Sequence, residues 1–254
     1  MILEQFKLHE RVALVTGAST GLGAAIAVAL AEAGAQVACH GNTKSPEATC
    51  DRIRSFGSVA HAISGELSQP ETPEDLIAQT LERFGQLDIL INNAGTIRRA
   101  AAVDYSIDDW TTVIVVNLSS VFRLSQIAGK HMIDNGRRGK IVNVASLLSF
   151  QGGITVPAYA AAKGGVAQLT KALANEWAKF NINVNAIAPG YMRTTNTAAL
   201  QADETRNRQI LERIPAGRWG EAEDVAGAAI FLSSQASDYV NGHVLVVDGG
   251  WLGR

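Results

Sequence analysis

The chain has 254 residues, of which 47% are hydrophobic and 18% charged, with 24 glycines and a net charge of −2. That balance fits a folded body with a large apolar core and leaves no basic surface of the kind that holds nucleic acid. Two cysteines without metal spacing, scattered histidines and no opening signal-peptide pattern argue against a metal centre, a disulfide framework or a membrane role, so the cytoplasm is the expected compartment.

RVALV is a short apolar, β-branched run, and a strand is expected over 11–16. TGASTGLG, Thr16 to Gly23, follows it. The alanine-rich AAIAVALAEAG then predicts a helix over 21–33, closed by Gly34. Further strands are expected over 36–40, 58–63, 87–91, 139–145, 182–187 and 243–247. They alternate with helices expected over 45–56, 71–84, 106–134, 157–179, 198–213 and 222–233. No linker or charge run divides the pattern. It predicts one domain over 1–254, a single Rossmann-type doubly wound parallel sheet in three α/β/α layers. No apolar run suggests a membrane-spanning helix.

Ligands of such sheets bind beyond the carboxyl ends of the strands. Four motifs fall on that edge: Gly17–Gly23 after the first strand, Asn92–Gly95 after the fourth, Ser146 after the fifth and Pro189–Gly190 after the sixth. Gly17, Gly21 and Gly23, with Ser19, Thr20 and Leu22 between them, sit at a strand-to-helix turn where the backbone can approach a pyrophosphate. The helix N-terminus offers free N–H groups and the positive end of its dipole to that anion. The spacing is G-x-x-x-G-x-G rather than GxGxxG, and no Gly-Lys-Ser/Thr closes it as in a P-loop. A glycine-rich turn can be purely structural; its place between the first strand and a helix is what points to a nucleotide.

Tyr159 and Lys163 are four residues apart and share one helix face. A nearby cation favours phenolate, and a phenol tuned in this way can give or take a proton at a carbonyl or hydroxyl carbon. The hydroxyl of Ser146 can bond the same oxygen. The spacing alone also fits an ordinary exposed helix face.

The second strand ends at Gly41, where a carboxylate would bind the ribose 2′-OH of NAD. Asn42, Thr43 and Lys44 follow and can hydrogen-bond a 2′-phosphate, which favours NADP over NAD. Arg98 and Arg99 follow NNAGTI directly, and a planar guanidinium suits a substrate carboxylate. Surface arginines on a loop are the alternative for at least one of them. Gln151, Tyr191, Arg193 and Asn196 can supply polar contacts to sugar hydroxyls.

TGASTGLG, INNAG (91–95), Asn117, Ser146, YAAAK (159–163) and APG (188–190) occur in an order that resembles the short-chain dehydrogenase/reductase family along essentially the whole chain. SLLSFQGG (146–153), NEWAKFNINVNAIAPGYM (175–192), RIPAGRWG (213–220) and SDYVNGHVLVVDGGWLGR (237–254) are most similar to members that act on sugar acids. The resemblance implies that Tyr159 is the general acid/base, that Lys163 lowers its pKa and bonds the nicotinamide ribose, and that Ser146 polarises the carbonyl. It implies that Asn117 holds a water linking Lys163 to solvent. Asn92, Asn93, Ala94, Gly95, Pro189 and Gly190 would border the cofactor, Thr194 would touch its carboxamide, and Glu66, with Leu67, its adenine. It also implies a homotetramer paired through the fourth and fifth helices, to which the small residues Ala160, Ala161, Ala162, Gly164, Gly165 and Ala167 are suited. The activity implied is hydride transfer between NAD(P) and a hydroxyl or keto carbon of a sugar acid. The alternatives are a 3-oxoacyl or other keto reductase of the same family, or a non-catalytic nucleotide sensor, which would be expected to lack Ser146, Tyr159 or Lys163.

Overall fold

A computed structural model describes all 254 residues, Met1–Arg254. Seven strands form one parallel sheet: β1 (Val12–Val15), β2 (Gln36–Gly41), β3 (Ala60–Ser64), β4 (Ile89–Asn92), β5 (Gly139–Val144), β6 (Ile182–Pro189) and β7 (Val244–Val247), in the order β3-β2-β1-β4-β5-β6-β7. Parallel strands covered on both faces need apolar side chains on both sides. VALV of β1 and ILIN of β4 are accordingly buried at every position.

On one face lie α1 (Gly21–Glu32), α2 (Glu47–Ser55) and α9 (Ala226–Ser233), where Ile26, Leu30, Ile53 and Leu232 pack with Val15, Val37, Ile91 and Val142. On the other lie α3 (Thr72–Phe84), α5 (Ser120–Asp134) and α6 (Pro157–Trp177), where Leu76, Leu124, Leu173 and Trp177 meet Leu14, Leu90, Ile141 and Val184. Burying each large apolar side chain contributes about 1.5–3 kcal/mol. Gly129 gives Trp177 its seat: a Cβ there would stand 2.8 Å from the indole ring.

The strand order reverses between β1 and β4, and this switch point opens a crevice beyond their carboxyl ends. Val15 is in register with Cys39 on one side and Ile91 on the other, so the loops after β1, β2 and β4 leave the sheet at one level.

The helices differ from expectation in three places. The segment over 106–134 is α4 (Ile107–Ile114), a π turn (Val115–Ser119) and α5. It is long and apolar enough to cross a membrane by length and composition, which corrects the expectation that no such run exists. Half of its most apolar window is buried in this fold. The segment over 198–213 is α7 (Ala198–Ala202) and α8 (Glu204–Arg213), parted at Asp203. That residue has extended backbone, and its carboxylate accepts the Arg206 N–H at 3.0 Å, which starts a new helix. The segment over 222–233 opens with a 3-10 turn (Ala222–Val225) before α9. Cys39 and Cys50 are buried and unbridged.

Candidate active site

A cleft of about 620 Å³ opens at the switch point. Gly17, Ser19, Thr20, Gly21, Leu22 and Gly23 form one wall of it, and Asn93, Ala94 and Gly95 another. Gly17 and Gly21 have φ of +66° and +57°, a region glycine occupies without a steric penalty. A Cβ on Gly23 would collide with the Gly17 carbonyl. The two loops are tied together. The Thr16 hydroxyl accepts the N–H groups of Asn93 and Ala94, both at 3.0 Å, and donates to the Ile91 carbonyl at 3.2 Å. The Asn93 amide donates back to the carbonyls of Thr16 at 2.8 Å and Gly17 at 3.2 Å. Asn93 therefore shapes the glycine turn with its side chain. Asn92 does not border the cleft: it is buried and its amide donates to Ser125 Oγ and Asn143 Oδ1. The close backbone approach and the exposed start of α1 fit a pyrophosphate.

The loops after β2 and β3 bring Asn42, Thr43, Lys44, Glu66 and Leu67 to the same cleft. Ser19 Oγ donates to the Lys44 carbonyl at 2.6 Å and couples this loop to the glycine turn. The Asn42 amide donates to Glu66, and the Ser68 N–H reaches the other carboxylate oxygen at 3.1 Å. Burial would raise the Glu66 pKa, but these donors hold it below its ordinary value. So a carboxylate does reach the end of β2, from β3, and it occupies the Asn42 amide. Thr43 and Lys44 border the cleft beside it.

His40 also borders the cleft, and nothing in the sequence singled it out. It is 1% exposed, and its ring lies between the Gly17 N–H and the Gly65 carbonyl. Burial pushes its pKa down. Ser68, Thr96, Thr112 and Thr195 are further polar members of the wall, legible only once the loops are placed side by side.

Tyr159 and Lys163 face the cleft from the first two turns of α6. Lys163 is 3% exposed, and its ammonium donates to the Val144 carbonyl at 2.5 Å. Burial lowers its pKa to about 8. Its Nζ lies 5.6 Å from the centre of the Tyr159 ring. Burial raises the Tyr159 pKa, while a hydrogen bond with Ser146 and the positive charge of Arg99 pull it down. Desolvation outweighs both, so the phenol lies above its ordinary pKa rather than below it. In this state Tyr159 is a protonated acid at neutral pH. Ser146 is fixed as the cap of a short turn, its oxygen accepting the Leu148 N–H at 3.2 Å.

Asn117 is fully buried in the π turn. Its Oδ1 accepts the Thr96 N–H at 3.1 Å, and its amide donates to the carbonyls of Thr96 and Val113, both at 2.8 Å. Gly95 lies against it, since a Cβ there would be 2.6 Å from Oδ1. Both amide protons are thus committed. The side chain clasps the loop after β4.

The two arginines separate. Arg98 pairs with Asp109 at 3.4 Å and bonds Thr96 Oγ1 at 3.0 Å. Arg99 makes one long bond, to the Asn196 carbonyl at 3.3 Å, and has no acidic partner. Arg193 is paired with Glu221 at 2.9 Å. Gln151 and Tyr191 stand outside the cleft wall. Gln151 accepts the Trp251 indole N–H at 3.4 Å, and Tyr191 packs against Trp219 and Trp251 with ring centres 5.5 and 4.6 Å away. Thr194 borders the cleft near Gly21. Pro189 pairs with Val247, and Gly190 packs against the Asp248 backbone and faces a separate cavity of about 160 Å³. The Pro–Gly turn therefore does not line this cleft.

A doubly wound sheet with a glycine turn at its switch point and a Ser–Tyr–Lys set opposite defines a Rossmann-type oxidoreductase. A family model described as enoyl-(acyl carrier protein) reductase matches residues 17–252. The chain is 53% identical to 2-dehydro-3-deoxy-D-gluconate 5-dehydrogenase of Bacillus subtilis, over 99% of this chain and 98% of that one. It is 51% identical to the Escherichia coli protein of the same name over the whole of both. A crystal structure from Agrobacterium tumefaciens, described as a 2-deoxy-D-gluconate 3-dehydrogenase with bound NADP, superposes with a TM-score of 0.93 at 56% identity, covering 98% of this chain and 99% of that one. A Burkholderia cenocepacia gluconate 5-dehydrogenase in complex with NADP and tartrate superposes at 0.94 with 39% identity over all of both chains. The chain belongs to the short-chain dehydrogenase/reductase family.

Proposed function

We propose that this dehydrogenase moves a hydride between NADP and a hydroxyl or keto carbon of a sugar acid of the 2-dehydro-3-deoxy-D-gluconate or 2-deoxy-D-gluconate type. The observation that carries the substrate class is Arg99, an exposed guanidinium with no acidic partner whose charge reaches the Tyr159 phenol. Arg99 stands just behind the cleft lining, where its bond to the Asn196 carbonyl holds it against a residue that borders the cleft. The relatives named for sugar acids, and the tartrate in one of them, support the same class. The polar wall of Thr96, Thr195 and Asn196 does not suit the apolar chain of an acyl ketone.

The glycine turn and the start of α1 hold the pyrophosphate, while Thr43 and Lys44 take the 2′-phosphate. NAD remains usable through the same turn, with weaker binding. The nicotinamide ring supplies or accepts the hydride. Tyr159 gives its proton to the developing alkoxide in reduction and takes the hydroxyl proton in oxidation. Ser146 donates to the same oxygen. Lys163 bonds the ribose and, as a buried ammonium, stabilises the phenolate left behind. Thr194 meets the carboxamide, and Glu66 and Leu67 flank the adenine.

The enzyme works as a homotetramer in the cytoplasm. Strand β7 is an uncapped edge, VLVV, with all four apolar side chains half-buried. Ile107, Trp110 and Phe122 lie exposed on α4 and α5. Such surfaces favour a second copy. Only part of the small-residue stripe on α6 is free for this, since Ala162 and Ala167 are buried and Gly165 lies under Leu118. The test is a spectrophotometric screen of NADP(H) and NAD(H) against keto-sugar acids and acyl ketones. Turnover confined to acyl ketones would overturn the assignment.

A further inference from the structure

We infer that His40 is a positioning residue for the cofactor, holding the glycine turn in its binding shape through an imidazole protonated only at Nε2. The inference rests on the dinucleotide reading of the cleft. His40 is the fifth residue of β2, in a sheet position that otherwise favours an apolar side chain, and it is 1% exposed. The Gly17 N–H donates to its Nδ1 at 3.3 Å. Its Nε2 lies 3.0 Å from the Gly65 carbonyl. An amide N–H can only donate and a carbonyl can only accept, so the two partners together select one tautomer: bare Nδ1, protonated Nε2.

One ring thereby joins the turn after β1, the end of β2 and the residue that follows β3. The His40 backbone reinforces the link, its carbonyl accepting the Ala18 N–H at 2.7 Å. Gly17 needs this anchor. It lies beyond the end of β1, and without the imidazole its N–H has no acceptor in the fold. Gly17 and Gly21 then lose the fixed spacing that presents the α1 N-terminus to phosphate.

A second proton on the ring would set N–H against N–H and break the anchor. The charged groups on the elements that meet His40 are Glu66 beyond the end of β3, whose charge favours the protonated ring, and Lys44 in the loop after β2; the glycine turn has none. Burial outweighs Glu66 and keeps the ring neutral at pH 7. Protonating the ring should therefore weaken cofactor binding through this residue, over and above the titration of Lys163, which the His40 variants share with the wild type.

The test is the affinity of NADPH and NADH, read by nicotinamide fluorescence, for the wild type, His40→Asn and His40→Leu at about pH 7.5 and about pH 5.5. NADH serves because it has no 2′-phosphate to titrate. Loss of one such bond is expected to weaken both nucleotides roughly threefold to tenfold in His40→Leu at the higher pH. Asparagine places its Oδ1 near the Nδ1 position and can accept from Gly17, though its shorter side chain does not reach Gly65, so His40→Asn is expected to keep more of the affinity than His40→Leu and to flatten the acid loss seen in the wild type. Wild-type affinity in His40→Leu, or an equal acid loss in His40→Asn and wild type, would overturn the inference. If the variants do not fold, nitrogen–proton correlation spectra of the wild-type imidazole decide: a proton on Nε2 at neutral pH supports it, and a proton on Nδ1 overturns it. A wild type that binds neither nucleotide would sink the dinucleotide reading and this inference with it, whereas normal wild-type binding with indifferent variants would sink this inference alone.

Discussion

Lys163 reaches from α6 to the carbonyl of Val144, the last residue of β5, at 2.5 Å. Ser146 follows that strand by two residues, and Tyr159 precedes Lys163 by one helical turn. A single buried bond thus sets strand and helix at the separation the Ser–Tyr pair needs. The cost is a charge held out of water, and burial lowers the ammonium's pKa to about 8.

That cost has a sign. The unfolded chain keeps the Lys163 proton up to its ordinary pKa of 10.5, while the folded chain releases it near 8. The stability contributed by the depressed pKa is complete above pH 10.5 and is lost as pH falls through 8. Against Lys163→Met, which has no proton to lose, the wild type is expected to gain about 3 kcal/mol between these limits. Urea melts of both proteins across the window check it. A difference independent of pH would mean that the ammonium is not desolvated.

Tyr159→Phe keeps the ring and removes the proton. Loss of a general acid lowers turnover by about 10²–10⁴. Cofactor affinity should stay within about twofold, because the glycine turn carries most of it. Near-normal turnover by the variant at neutral pH would dismiss Tyr159 as the acid.

Arg99→Ala should lower kcat/KM for a keto-sugar acid about tenfold to a hundredfold, the worth of a hydrogen bond to a charged group. A neutral analogue should be affected far less. Arg99→Lys should recover only part of the loss, since it keeps the charge without the fork. Arg98→Ala should do little, because that side chain is already spent on Asp109 and Thr96. Equal losses on the acid and the analogue would mean that Arg99 does not read a carboxylate.

Asn117→Ala leaves both backbone groups of Thr96 and the Val113 carbonyl without their partner. Unsatisfied buried polar groups of this kind cost about 2–4 kcal/mol together. Chemical denaturation measures it directly, and an unchanged midpoint would show that the clasp is dispensable.

Light scattering at micromolar concentration is expected to give a homotetramer. A monomeric mass would leave the half-buried β7 edge and the exposed Ile107, Trp110 and Phe122 without explanation.

The sheet was legible because its strands are short apolar runs that alternate with helix-length segments, and all seven appear close to their expected places. The glycine turn and the Tyr159–Lys163 face were legible because each is local, set by spacing within a few residues. What escaped depends on partners distant in sequence. The π turn around Asn117 lies inside a helix-length segment with no glycine or proline to mark it. His40 looked like one of five scattered histidines, and its two partners lie 23 and 25 residues away on other strands' loops. Arg98 and Arg99 read alike until Asp109 took one of them. Asp203 sits in a polar stretch, and the helical pattern on both sides concealed the break there.

A proton from Tyr159 and a hydride from the nicotinamide are expected to meet at one carbonyl of a sugar acid. The most direct measurement follows NADPH absorbance with 2,5-diketo-type 3-deoxy sugar acids as substrate, with a 3-oxoacyl thioester alongside. The account predicts NADPH oxidation with the sugar acid, slower oxidation with NADH, and none with the thioester. Oxidation with the thioester and none with the sugar acid would contradict it.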